Sequence, residues 1–152
     1  MARIYSDIVD IPADGSRVWD ALTATESWSE WRAGLVSALP VTGAAFETGF
    51  RWCEKRHFDG STLEFEVEVT DCVPLESISL IVDSVGASVR KGVVFFEFRL
   101  VDYGETTTLH LDSKLESGGW LQRLFSSGNE AAFLALCRTD LTRLEAKFRP
   151  TT

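Results

Sequence analysis

A chain of 152 residues is long enough to bury roughly two-thirds of the surface its unfolded form would expose, so it needs neither a metal nor a disulfide to fold. With 45% hydrophobic and 25% charged residues, it has the composition of a globular protein rather than a disordered one, and no apolar run approaches the roughly 20 residues that span a bilayer. A net charge of -8 without a basic patch repels nucleic-acid phosphates and anionic membrane surfaces, which argues against nucleic acid as a partner and against membrane insertion.

The start, MARIYSDIVD, lacks a basic region followed by an apolar signal core, and Cys53, Cys72 and Cys137 are odd in number and widely spaced. Both features suit a reducing compartment, so the expected location is the cytoplasm, and the cysteines are read as packed thiols without disulfide or zinc pattern. Residues 3–10 alternate as a strand that stops at Pro12. In PADGSRVWDALTAT, Asp14 is placed to cap a helix whose Val18, Ala21 and Leu22 share one face. A second short helix is expected over SWSEW, with Ser27 and Glu30 at capping-box spacing and Trp28 and Trp31 on one side.

From Leu35 to Glu116 the period changes to two, with turn signals at Thr42-Gly43, Asp59-Gly60, Pro74, Val85-Gly86 and Tyr103-Gly104. About six strands in hairpin succession follow from this. In TLEFEVEV, Leu63, Phe65, Val67 and Val69 fall on one face and Glu64, Glu66 and Glu68 on the other, which reads as a solvated side. The same alternation puts Ile78, Leu80 and Val82, then Phe96 and Phe98, then Leu109 and Leu111 on the inner face. After Gly118-Gly119 the helical period returns, and Phe133, Leu134, Cys137, Leu141, Leu144 and Phe148 form one stripe. Ser127 with Glu130 offers a cap for this helix, Pro150 ends it, and Ser126-Ser127-Gly128 marks a break before it. A helix of about 20 residues runs roughly 30 Å, long enough to cover a sheet. The expected architecture is α+β in one domain over 1–152: a curved antiparallel sheet of about seven strands wrapped around a long C-terminal helix, with two short helices after the first strand.

The stretch IPADGSRVWDALTATESWSEW resembles the opening of the helix-grip superfamily, which includes START lipid-transfer domains, birch-pollen-allergen-like proteins and the polyketide cyclase/dehydrase group. VTGAAFETGFRWCEKR before the third strand and the Leu144-Glu145 step near the end of the last helix add to the likeness, which spans nearly the whole chain. The resemblance implies a cavity between the concave sheet face and the long helix, used across members for sterols, lipids, polyketides or hormones. It carries over no catalytic residue.

On that architecture, Phe65, Val67, Leu80, Phe96, Phe98 and Leu109 of the sheet face Phe133, Cys137 and Leu141 of the helix, an apolar wall with aromatic rings of the kind small-molecule pockets use. Close packing would instead fill the same space as a solid core. Trp28, Trp31, Trp52 and Trp120 lie near one end and would frame a mouth, with Trp120 on a Gly118-Gly119 hinge, or else plug the core. Glu54 and Arg56 share the face of Phe50 and Trp52 and read first as a solvent-exposed ion pair; if that face is concave they are, with Arg32, the candidate polar groups of the pocket. His110 with Asp112 has the parity of the outer face, and Cys53 with His57 lacks a third partner, so neither pair reads as a metal or nucleophile site.

No metal or cofactor is expected. The first functional expectation is a carrier of a small hydrophobic molecule, as monomer or homodimer. The alternatives are a polyketide aromatase/cyclase in which Arg56 or Glu54 acts on a keto group, and an interaction module of co-chaperone type.

Overall fold

The computed structural model describes residues 2–42, 45–58, 60–84, 94–115 and 130–150. Strand β1 (Ala2–Ile11) leads through Asp14 into helix α1 (Gly15–Thr23) and a 3₁₀ helix (Thr25–Glu30). Strands β2 (Leu35–Thr42), β3 (Arg51–Phe58), β4 (Ser61–Val73), β5 (Ser77–Ser84), β6 (Val94–Asp102) and β7 (Thr107–Leu115) follow, and helix α2 (Glu130–Phe148) closes the chain. All seven strands form one antiparallel sheet in the order β1-β7-β6-β5-β4-β3-β2, so β2 to β7 are successive hairpin neighbours and only β1 crosses to pair with the last strand.

The side-chain alternation of each strand sets the face it buries. Leu63, Phe65, Val67 and Val69 of β4 are all buried, as are Ile78, Leu80 and Val82 of β5 and Leu109 and Leu111 of β7. Register stacks these rows: Leu80 lies opposite Phe96, Ile78 opposite Phe98, and Phe98 opposite Leu111. The outer row is not uniformly wet. Glu64 is exposed, but Glu66 is buried, its Oε1 3.6 Å from an Arg51 guanidinium nitrogen and 3.7 Å from the Cys53 thiol. Alternation assigns a side chain to a face, but the long Arg51 side chain then covers part of that face.

Asp14 caps α1 as expected, accepting from the Arg17 amide at 2.9 Å. The Ser27–Glu30 capping box does not form. The 3₁₀ helix starts from Ala24, which has no capping side chain, and Ser27 turns its hydroxyl to the Ala24 carbonyl at 2.8 Å. The capping need lies instead at the end of α1, where the last carbonyls of any helix lack partners. There the Trp28 indole donates to Leu22 O at 3.1 Å and the Trp31 indole to Ala21 O at 3.0 Å. This explains two tryptophans three residues apart, with their rings in the core and their N–H groups on the helix end.

No described helix is long and apolar enough to cross a membrane. Trp120, the Gly118-Gly119 step, the Ser126–Gly128 break, the Ser127 cap and the Val85-Gly86 turn lie outside the described residues, as does the side chain of Phe133.

Candidate functional site

Between the sheet and α2 the interior is hollow, with a cavity of about 80 Å³. A cavity needs roughly 10–15 Å³ on this measure to hold one water, so this space is several times that minimum. Its wall comes from Leu63, Phe65 and Val67 of β4, Leu80 and Val82 of β5, Phe96 and Phe98 of β6, and Leu111 of β7. Leu136, Cys137 and Leu141 of α2 face them, and Trp31 and Trp52 close one end.

The same end carries four charged residues in the wall: Arg32, Glu54, Arg56 and Asp140. Strand parity puts two of them there. Burial along β3 alternates so that Trp52, Glu54 and Arg56 point inward, and Glu54 and Arg56 are 1% and 3% exposed. Arg56 is fully engaged by its neighbours. Its Nε donates to Ala33 O at 3.0 Å, Nη1 donates to Asp140 Oδ2 at 2.9 Å, and Nη2 pairs with Asp140 Oδ1. Asp140 also accepts from the Ala33 amide at 2.8 Å, so one carboxylate ties α2 both to β3 and to the corner after the 3₁₀ helix. That corner needs Gly34. Its φ of +65° is left-handed, and a Cβ there would sit 1.9 Å from the His57 carbonyl oxygen.

Glu54 Oε1 accepts from the Trp52 indole at 2.9 Å and lies 3.5 Å from Arg32. Glu54 Oε2 is 3.6 Å from Arg56 Nη1, beyond hydrogen-bonding distance, and among the described residues this buried oxygen has no donor. Arg32 stacks over the rings of Trp28 and Trp31, at 4.3 and 4.7 Å from their centroids, and its buried Nε is likewise unpartnered among the described residues. Burial lowers the Arg32 pKa against the opposing pull of Glu54. Burial acts on Arg56 in the same sense, but Asp140 overcomes it and holds that guanidinium above its ordinary value. Two cations and two anions leave the cluster neutral.

Of the residues singled out from sequence, Trp31, Trp52, Phe65, Val67, Leu80, Phe96, Phe98, Cys137, Leu141, Arg32, Glu54 and Arg56 all border this cavity. Trp28 and Leu109 do not. Both are wholly buried, Trp28 against Trp52 at 4.8 Å between ring centroids, and Leu109 in the core. Trp28, Trp31 and Trp52 are each at most 1% exposed, so none of the three is a solvent-facing rim. Asp140 was not foreseen. Its only signal is position: it lies three residues after Cys137 and four before Leu144, which puts a carboxylate inside an apolar stripe. Among the described residues, no three His, Cys, Asp or Glu side chains gather as a metal site. Cys53 and His57 do not meet either: the thiol faces Glu66 and the imidazole faces Thr62.

Burial pushes the Cys137 thiol well above its ordinary value, with Asp140 adding to the effect. The folded state therefore favours the neutral thiol. Its contribution to stability is complete below the ordinary thiol value and is lost as pH rises past it. Raising the pH from about 9 to about 10 is expected to destabilise the protein by about 1 kcal/mol more than it destabilises Cys137→Ala. Urea unfolding of both proteins at the two pH values measures this; equal slopes would place the thiol in contact with water.

A curved antiparallel sheet closed over a cavity by one long C-terminal helix defines the helix-grip class of protein. Residues 1–149 match the family described as polyketide cyclase / dehydrase and lipid transport, and the chain belongs to that family. No curated protein matches it. Among solved structures it is similar to a protein of Nitrosospira multiformis, at 19% identity over 95% of both chains and a TM-score of 0.69. It is also similar to major latex-like protein 151 of Panax ginseng, at 14% identity over 96% of this chain and 97% of that one, with a TM-score of 0.73. A third similarity is to the di-domain ARO/CYC BexL of the BE-7585A biosynthetic pathway. There the identity is 13% over 96% of this chain and 46% of that one, with a TM-score of 0.71. These likenesses are of fold.

Proposed function

We propose that the chain binds a small hydrophobic molecule in the cavity between β4–β7 and α2, as one domain acting in the cytoplasm without a cofactor. The observation that carries this reading is the hollow itself: apolar and aromatic side chains enclose it at the centre of the fold, where close packing is otherwise the rule. The family description, which names lipid transport beside polyketide chemistry, supports the same reading. An apolar ligand burying about 300 Å² gains roughly 7 kcal/mol, from which the association costs are then subtracted.

The test is titration with the neutral fluorescent probe N-phenyl-1-naphthylamine. Saturable binding at one site, with quenching of tryptophan emission through Trp31 and Trp52, is expected, and Leu80→Trp, which fills the hollow, should abolish it. Absence of saturable binding to the parent protein would end the reading.

A second reading, a cyclase-type enzyme, draws on charged groups in the cavity wall and on the similarity to an ARO/CYC protein. In it Glu54 takes the proton, since its Oε2 has no donor among the described residues whereas Arg56 is held by Asp140 and Ala33. Turnover of a polyketide analogue that survives Glu54→Gln unchanged would remove Glu54 from that role.

A further inference from the structure

The cavity is apolar except at the end where Arg32, Glu54, Arg56 and Asp140 meet, and within that cluster the groups are unequally satisfied. Asp140 has three donors, from Ala33 N and the two terminal nitrogens of Arg56. Glu54 has one among the described residues, the Trp52 indole, on Oε1. Its Oε2 is buried in the wall with no donor among the described residues. A carboxylate oxygen withdrawn from water without a donor is costly, and the cost disappears when a donor is supplied. Glu54 lines the cavity, and its terminal torsion is a soft one.

We infer that the cavity selects a neutral apolar molecule bearing a hydroxyl group, whose O–H donates to Glu54 Oε2, over the same skeleton without the hydroxyl and over the same skeleton bearing a carboxylate. This rests on the reading that the cavity binds hydrophobic molecules, and specifies which of them. Two physical reasons set the order. The unsubstituted skeleton leaves Oε2 unpaired, and a site built around a buried acceptor discriminates strongly against a ligand that cannot donate. The carboxylate meets a cluster whose two positive charges are already balanced by two negative ones, so it adds an uncompensated buried anion beside Glu54. The arginines do not reverse this: Arg56 is held by Asp140, and the Arg32 Nε–H, unpartnered among the described residues, can donate to a hydroxyl oxygen as well as to a carboxylate.

Three probes on one ring system test it: 2-naphthol, naphthalene and 2-naphthoate, titrated against the protein at neutral pH. The expected result is that 2-naphthol binds at least about tenfold more tightly than either of the others. Glu54→Gln sharpens the test, since the amide keeps an oxygen for the Trp52 indole and presents an N–H₂ where Oε2 stood, leaving the cluster with a net positive charge. In that variant 2-naphthoate should gain on 2-naphthol by at least about tenfold. Equal affinity for all three probes in the parent protein overturns this inference and leaves hydrophobic binding standing. No binding of any probe overturns both. The comparison in the parent protein decides the matter even if Glu54→Gln fails to fold.

Discussion

Asp140→Ala is expected to lower the free energy of unfolding by about 3 to 5 kcal/mol, as large an effect as any single substitution on α2. The carboxylate accepts from Ala33 N and from two nitrogens of Arg56, and Arg56 is 3% exposed. Removing Asp140 leaves a buried guanidinium whose Nε still bonds the Ala33 carbonyl but whose nearest described counter-charge is Glu54, at 3.6 Å, and it leaves the Ala33 amide without its acceptor. Both costs are desolvation costs that nothing repays. Removing the two partners together is a different matter: Arg56→Met with Asp140→Leu leaves Arg32 and Glu54, which balance, and replaces the buried pair by apolar volume. The double variant should therefore be more stable than Asp140→Ala, with a coupling energy of about 2 kcal/mol. Urea unfolding of the parent, the single variants Asp140→Ala, Asp140→Leu and Arg56→Met, and the double variant gives these numbers. Additive losses would mean that the pair is solvated and that α2 is held by its apolar stripe alone.

The cluster also marks where sequence reasoning stops. Strand faces were legible because a period of two leaves little ambiguity over eight residues, and β4 shows it residue by residue. The expected sheet of about seven strands and the long final helix are what the structure has. Parity also placed Glu54 and Arg56 on the face of Trp52, but could not say whether that face was wet; α2 settled it, by bringing Asp140 across from residues more than 80 positions away. Partners so far apart leave no local signal. Trp28 and Leu109 were expected at the cavity for the same lack of depth information: periodicity gives the direction of a side chain, and only the packed fold says whether space or another ring lies beyond it. Glu66 failed in the opposite sense, since Arg51 and Cys53 of the neighbouring strand crowd an outer position that alternation marks as open.

Phe98 offers the corresponding test of the hollow. It is buried on β6, borders the cavity, and lies opposite Ile78 of β5, which is as deeply buried but does not border it. Truncating either side chain to alanine removes buried methylenes or a ring and leaves a void, so Phe98→Ala is expected to cost about 3 to 5 kcal/mol and Ile78→Ala about 2 to 5 kcal/mol. Domains of this size have roughly 5 to 15 kcal/mol to lose, so both variants are expected to remain folded at 25 °C. Stability does not separate them, but affinity does. Phe98 contributes wall that a ligand touches, so Phe98→Ala should weaken binding of N-phenyl-1-naphthylamine by about tenfold, which corresponds to about 1.4 kcal/mol of lost contact. Ile78→Ala should leave the affinity unchanged, because its void opens behind the wall. Both quantities are measured on each variant, by urea unfolding and by probe titration under conditions where the protein is fully folded. Unchanged affinity in Phe98→Ala alongside its full loss of stability would show that the probe does not reach this side of the cavity. Equal losses of affinity in the two variants would show that binding follows global stability rather than the wall.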